Sequence, residues 1–244
     1  MEYMLGNQDT EAKYSAHNQS RFNLAFSKID QIIKNRSKIS ILDIGTSPLT
    51  FMLKKRYPKA SIWTIDYSNK FMARCKKGGI NFSVVDLNIA KFKYRSPKFE
   101  IITFLEVLEH LTGNHVEIVR RISSLLTKGG VCILQTPNKF SPKAMFVKMV
   151  SESVWEKFSN VSLGKDEFSH HKEYSLSELS NMIRKIKGVE IISAEQSMYF
   201  DEIASALVYQ KYSLLFTPLV YLNYLLVKLF PFLRRGLMLI FRRI

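Results

Sequence analysis

Seven short apolar runs recur along this chain with helical patterns between them, and the first three each carry an aspartate at their end. The runs are Ile39–Gly45 with Asp43, Ser61–Asp66, Ile80–Val85 followed by Asp86, Phe99–Leu105, Val131–Gln135, Val189–Ser193 and Gly236–Phe241. Asn18–Arg36 sets Phe22, Ala25, Ile29, Ile32 and Ile33 on one helical face. Ser47 is an N-cap candidate and Pro48 suits a first helical position, so Leu49–Arg56 reads as a helix. Ser68–Lys77 is a helix closed by Gly78 and Gly79, Asn114–Leu126 one followed by a Lys128–Gly130 turn. Ser175–Ile186 opens on the start signal Ser175 and Glu178. Strands alternating with helices at this spacing predict an α/β fold, a parallel sheet with helices on both faces.

Ligands of such sheets sit outside the carboxyl ends of the strands. Asp43, Asp66 and Asp86 line that edge with carboxylates, which suit a ligand rich in hydroxyls, amines and positive charge rather than a pyrophosphate. The loop Gly45–Thr50 also lacks the second and third glycines of the dinucleotide fingerprint. One strand-end aspartate is commonly just a turn residue. Three at equivalent positions argue for a shared ligand.

Ile41-Leu-Asp-Ile-Gly-Thr-Ser47 resembles the first motif of the class I S-adenosylmethionine-dependent methyltransferases. Asp66 in Trp63–Ser68 matches their ribose-binding acid, and Asp86 in Val85-Asp-Leu87 the acid that, itself or through its neighbours, meets the adenine amino group. Phe99–Leu111, Leu125–Asn138 and His171–Leu179 resemble the fourth strand, the helix-turn-strand after it and the return into the last helix. The resemblance spans about Asn18 to Ser193 in order. It implies a Rossmann-like, doubly wound seven-stranded sheet, mostly parallel with an antiparallel last strand, plus apolar helical insertions. It also implies S-adenosyl-L-methionine as cofactor, held by Asp43, Gly45, Ser47, Asp66, Tyr67, Asp86, Leu87 and Leu105. The chain departs from the pattern where Ser47 and Pro48 replace the usual second glycine. Ser47 can compensate by capping the helix, whose free amides then face the cofactor carboxylate.

Methyl transfer from a sulfonium is an in-line displacement that mainly needs alignment and exclusion of water. A base is required only for a hydroxyl or protonated amine, and His110 and His171 are the candidates, each with an equally ordinary structural role open to it. Glu106, Glu109 and His110 stand at i, i+3 and i+4, one face if the segment is helical, and with His170 or His171 offer oxygen and nitrogen ligands for a divalent metal. The same Glu-x-x-Glu-His resembles the ubiquinone-biosynthesis O-methyltransferases and the small-RNA terminal 2′-O-methyltransferases, which bind metal there. Many relatives carry it without metal, so the motif leaves metal binding open.

The 244 residues, 46% hydrophobic, suffice for one sizeable domain over 1–244. Within it we expect an N-terminal helical cap at 1–38, a lid-like insertion at 139–172 and an apolar helical insertion at 198–235. Cys75 and Cys132 sit in separate apolar segments and form no disulfide framework, and the polar start Met1–Lys13 lacks the apolar run of a signal peptide. A cytoplasmic setting is expected. Thirty-six Lys and Arg against 21 Asp and Glu, a net +15, favour an anionic partner such as nucleic acid or a membrane surface.

Tyr212–Val227 has 16 residues without a charge, short of the roughly 20 that span a bilayer, and reads equally as a lipid-contacting lid or as an insertion buried against the core; the basic, aromatic Lys228–Arg235 follows it. Ala144–Phe158 reads as a further helix with a broad apolar face. These segments favour a small or lipid-linked acceptor, with a hydroxyl as the methylated group, and peripheral contact with the inner face of a membrane. An RNA methyltransferase is the alternative the charge permits, although no appended RNA-binding module is visible. A non-catalytic adaptor with a methyltransferase-like fold is the other. The number of subunits is not legible.

Overall fold

The computed structural model describes residues 19–33, 39–89, 97–141, 171–197, 222 and 224–244. The expected helix 144–158 and most of the uncharged segment 212–227 lie outside the described residues. One sheet contains β1 (Ser40–Ile44), β2 (Ser61–Asp66), β3 (Asn81–Val84), β4 (Phe99–Leu105), β5 (Leu126–Pro137), β6 (Val189–Ser197) and β7 (Gly236–Arg243). Its order is β3-β2-β1-β4-β5-β7-β6. The pairs among β1–β5 are parallel, and β7 is antiparallel to both β5 and β6, as the resemblance implies.

β1 shows why the sheet is covered twice. Leu42 and Ile44 enter the core on one face and Ile41 the core on the other, and all three are buried. A strand apolar on both sides needs helices on both. On the Ile41 side pack α1 (Gln19–Ile33), α2 (Pro48–Arg56) and α3 (Met72–Lys77), through Phe22, Ile29, Leu49, Leu53 and Cys75. On the other pack α4 (His115–Ser124) and α5 (Leu176–Arg184), through Ile118, Ile122, Leu179 and Ile183. α5 starts at its expected signal, Ser175 Oγ accepting from Glu178 N at 3.3 Å, and α4 is capped by Asn114, whose Oδ1 accepts from Glu117 N at 3.2 Å.

Three elements differ from their expected bounds by four residues or more. α3 begins at Met72 rather than Ser68, because Ser68 N donates to Asp66 Oδ1 and Met72 N to Asn69 O, which commits the intervening residues to a turn. β5 starts at Leu126, upstream of the Lys128–Gly130 turn. Phe99 pairs with Leu126 but Ile101 with Val131, so that turn is a bulge inside the strand. Gly129 supplies its positive φ of +78°. β6 continues past Ser193 to Ser197 because β7 offers it a full-length antiparallel partner.

The chain leaves β1 towards β2 and β3, then returns to build β4, β5, β7 and β6 on the other side. The carboxyl ends of β1 and β4 therefore flank the reversal of strand order, the place where such sheets open a crevice.

Candidate functional site

Gly45 turns the chain out of β1 with φ +82°, a conformation that L side chains rarely adopt. A Cβ there would lie 2.7 Å from Val107 Cγ2, so the loop after β4 crosses the loop after β1 at van der Waals contact. Gly45 N donates to Ile65 O at 2.9 Å, which holds the turn against β2. Beyond it, Ser47 caps α2 by accepting from Leu49 N at 3.2 Å, while Ser47 N donates to Thr50 Oγ1 at 3.1 Å. Ser47 thus closes the loop where a second glycine was expected.

The three strand-end acids occupy three different environments. Asp43 is fully enclosed and accepts 2.6 Å hydrogen bonds from Thr103 Oγ1 and Thr50 Oγ1. Burial pushes its carboxyl up to about 7, against the lowering effect of the two hydroxyls, and the nearby Asp66 adds to the rise. Asp66, at 9% exposure, accepts from Thr46 N at 2.9 Å on Oδ2 and from Ser68 N at 3.1 Å on Oδ1. A carboxylate has about four acceptor sites, so Asp66 retains acceptor capacity for a further partner. Asp86 is half-buried, with Oδ1 accepting from Asn88 N at 2.8 Å.

The other expected cofactor residues divide by position. Tyr67 is 54% exposed beside Asp66. Leu87 is buried in the core with α4. Leu105 is half-buried against the core on the α1 side.

Glu106 follows β4 with φ +54°, the one non-glycine residue with positive φ among the described residues. Such strain persists where surrounding contacts impose it. Here Glu106 N donates to Gln135 O at 2.9 Å, and Arg21 Nη2 of α1 lies 3.7 Å from Glu106 Oε2. Only Leu108–His110 then forms a single 3₁₀ turn, which leaves Glu106 outside it. The helical face proposed for Glu106, Glu109 and His110 does not form. Among the described residues no group of three or more His, Cys, Asp or Glu side chains is placed to hold a metal ion. His170 lies outside them.

Glu109 is buried, its Oε2 accepting from Thr136 Oγ1 at 3.1 Å and its Oε1 lying 3.8 Å from His110 Nε2. Burial, and then the Glu106 carboxylate, raise its carboxyl well above the usual range. Its Oε1 and the Gln135 side-chain amide are enclosed without a hydrogen-bond partner among the described residues. His171 is exposed and is tied in by its main chain, His171 N donating to Glu109 O at 2.8 Å. The structure thus brings Glu109, His110 and the His171 backbone together. An open groove of about 760 Å³ runs between α4 and α5, with His115, His171, Tyr174 and Met182 in its walls. None of the strand-end acids lines it.

Sequence reasoning did not find Thr50, Thr103, Thr46 or Gln135. Thr50, three residues after the cap Ser47, was the one with a legible signal, that of a reciprocal cap.

A family model described as a methyltransferase domain matches residues 16–192, well over half of the chain. No curated protein sequence matches it. Among solved structures, the plantazolicin methyltransferase BpumL in complex with a triazolic desmethylPZN analog and SAH is similar, with a TM-score of 0.57 and 16% identity over 98% of this chain and 93% of that one. The N-methyltransferase NodS from Bradyrhizobium japonicum WM9, in complex with SAH, has a TM-score of 0.54 and 12% identity over 99% and 95%. The cyclase SpnF has a TM-score of 0.53 and 15% identity over 88% and 78%. At these identities the likeness concerns the fold.

Proposed function

The chain belongs to the methyltransferase-domain family as an S-adenosylmethionine-dependent methyltransferase, and from that premise we propose that it methylates a hydroxyl of a small or lipid-linked acceptor in the β1–β4 crevice. The carrying observation is the crossing of the Gly45 and Val107 loops beside Asp66. A side chain at Gly45 would strike Val107 and part the two loops that border the crevice, and Asp66 keeps acceptor capacity for ribose hydroxyls, so the residues fit the cofactor. Bound there, the cofactor supplies a methyl group already activated on a sulfonium.

Asp66 would take the ribose, with Tyr67 flanking it, and Asp86 with the Leu87 main chain the adenine end. Gly45, the capped Ser47 loop and Leu105 would border the methionine end. Asp43 acts as a positioning residue: it holds Thr50, and Thr50 holds Ser47 N. On the acceptor side His110, with the buried Glu109 carboxyl 3.8 Å from its Nε2, would accept the proton of the attacking group. His171 is the second candidate for that role. Residues 1–38, 139–172 and 198–235 serve as cap, lid and insertion on a single domain. The packing of α1 under the sheet and the Arg21–Glu106 contact support the cap.

The test is calorimetric titration with SAH of the wild type and of Asp66→Ala, then transfer of labelled methyl from S-adenosylmethionine to paired hydroxyl and amine acceptors, soluble and lipid-linked. We expect saturable SAH binding that the variant weakens at least about tenfold. A folded wild type that ignores SAH overturns the reading of the crevice. Label on amines alone, the outcome NodS suggests, overturns the hydroxyl.

A further inference from the structure

The exposed apolar side chains near the C-terminus form one group. Leu222, Leu225, Leu229, Phe230 and Phe232 fall within eleven residues and are all exposed, Leu229 by 62% and Phe232 by 53%. The helical backbone at 222 and 224–229 buries Val227 and turns Leu222, Leu225 and Leu229, spaced by three and four, towards solvent. The apolar stripe of this helix thus faces outward, the reverse of a stripe that packs on a core. Phe230 and Phe232 extend it, their rings edge to face at 6.0 Å. Large apolar groups scattered singly need no explanation, but a contiguous set marks an interaction surface.

Charge selects the partner. From Ile203 to Ile244 the chain carries six Lys and Arg and no Asp or Glu. Lys228 lies within the apolar group, and Arg234 and Arg235 at its border. Leucine and phenylalanine among cations, with no acid to pair a partner's base, match an interface between acyl chains and anionic headgroups.

The placement ties this surface to the crevice edge. Asn138, just past β5, donates through Nδ2 to Phe232 O at 2.8 Å and Arg234 O at 2.7 Å, and through its backbone N to Arg235 O at 2.8 Å. The turn carrying the phenylalanines is therefore fastened to the end of β5, two residues from the Thr136 that holds Glu109. Phe140, also exposed, continues the apolar surface, its N donating to Asn138 Oδ1 at 3.1 Å.

We propose that the 222–235 surface, with Phe140, seats the enzyme on an anionic bilayer, from which a lipid-linked acceptor enters at the end of β5. The acceptor clause rests on the reading of the β1–β4 crevice as the methyl-transfer site; the bilayer contact stands on the surface itself. The test is co-sedimentation of the full chain with vesicles of phosphatidylcholine alone and of phosphatidylcholine mixed with phosphatidylglycerol, with SAH titration in parallel. We expect binding only to the anionic vesicles, weakened by salt, and lowered at least about tenfold in the Phe230→Glu/Phe232→Glu variant with SAH affinity unchanged. If that variant misfolds, Leu225→Gln/Leu229→Gln, altered at solvent-facing positions, reads the same loss. Wild type left in the supernatant at low salt overturns the proposal, as does a folded variant that binds like wild type. Concentration-dependent self-association that either variant abolishes makes the surface a subunit interface and also overturns it. Vesicle binding without SAH binding would leave the bilayer contact standing and remove the crevice reading alone.

Discussion

Gly45→Ala tests the crossing of the two loops on which the site depends. The backbone there has φ +82°, and a side chain in that region costs about 1–2 kcal/mol. The added methyl would meet Val107 Cγ2 at 2.7 Å, an overlap that forces the neighbouring loop to shift at about 1–3 kcal/mol. Together the two effects come to about 3 kcal/mol, or a Tm lower by about 6–12 °C in a domain of this size. The terms separate with a second substitution, since Val107→Ala removes the atom that the new methyl strikes and leaves the dihedral cost in place. On its own, trimming the half-buried Val107 costs about 1 kcal/mol. The double variant should then be more stable than the sum of the singles predicts, by about 1–3 kcal/mol. Urea and thermal unfolding of the four proteins give that coupling directly. Additivity within about 0.5 kcal/mol would refute the close approach. A Gly45→Ala protein that melts with the wild type would refute the left-handed turn itself.

Two further expectations concern buried carboxyls. Folded Asp43 keeps its proton to about pH 7, whereas the unfolded chain releases it near the ordinary aspartate value of 3.8, so the folded form binds the extra proton and stability falls as pH rises between those values. The drop is at most about 4 kcal/mol, and Thr103→Val, which removes a donor to the charged form, should cost about 1 kcal/mol below that window and about 2–3 above it; a pH-independent cost in chemical unfolding rules this out. Glu109 is raised in the same sense, by burial and by Glu106, so Glu109→Gln should gain about 1–3 kcal/mol relative to wild type at alkaline pH and lose that advantage under acid. Melting curves from acid to alkaline pH that stay parallel for the two proteins would contradict it.

How far the sequence discloses this fold depends on which forces act locally. β2 and β4 match their expected bounds because each largely apolar run stops at an acid, Asp66 at the end of β2 and Glu106 just after β4. The caps Ser47 and Ser175 are legible because each acts within three residues. The bulge at Lys128–Gly130 is hidden, since two glycines read as a turn until β4 supplies a partner upstream of them. The extension of β6 likewise depends on β7, some forty residues further along the chain. At the site, the positions of the acids are legible and their states are not. Thr103 meets Asp43 only after β1 and β4 pair, and Arg21 meets Glu106 only after α1 packs. The helical spacing of Glu106, Glu109 and His110 misleads because Glu106 turns through a positive φ before any helix begins.

The three acids that look equivalent in the sequence consequently do different work. Asp43 has both oxygens taken by threonine hydroxyls and almost no contact with solvent, so its carboxyl acts on the protein's own loop. Asp66 accepts from Ser68 N and, at 3.5 Å, from Ser68 Oγ on Oδ1, and from Thr46 N on Oδ2, which keeps a lone pair; it is at once an anchor for Thr46 and Ser68 and an acceptor for a ligand. Asp86 spends one oxygen on the Asn88 amide; Asn88 in turn accepts from Thr112 N at 2.8 Å, so this acid steadies the segment beyond the 3₁₀ turn. The gradient from enclosed to open follows the sheet outward from β1 to its edge at β3, where cover by helices ends. A chain that buries its central strand on both faces must neutralise the acid there with internal donors, and only the acids further out stay available to a cofactor. The same sheet that fixes the loop at its centre thereby leaves its recognition groups at the margin.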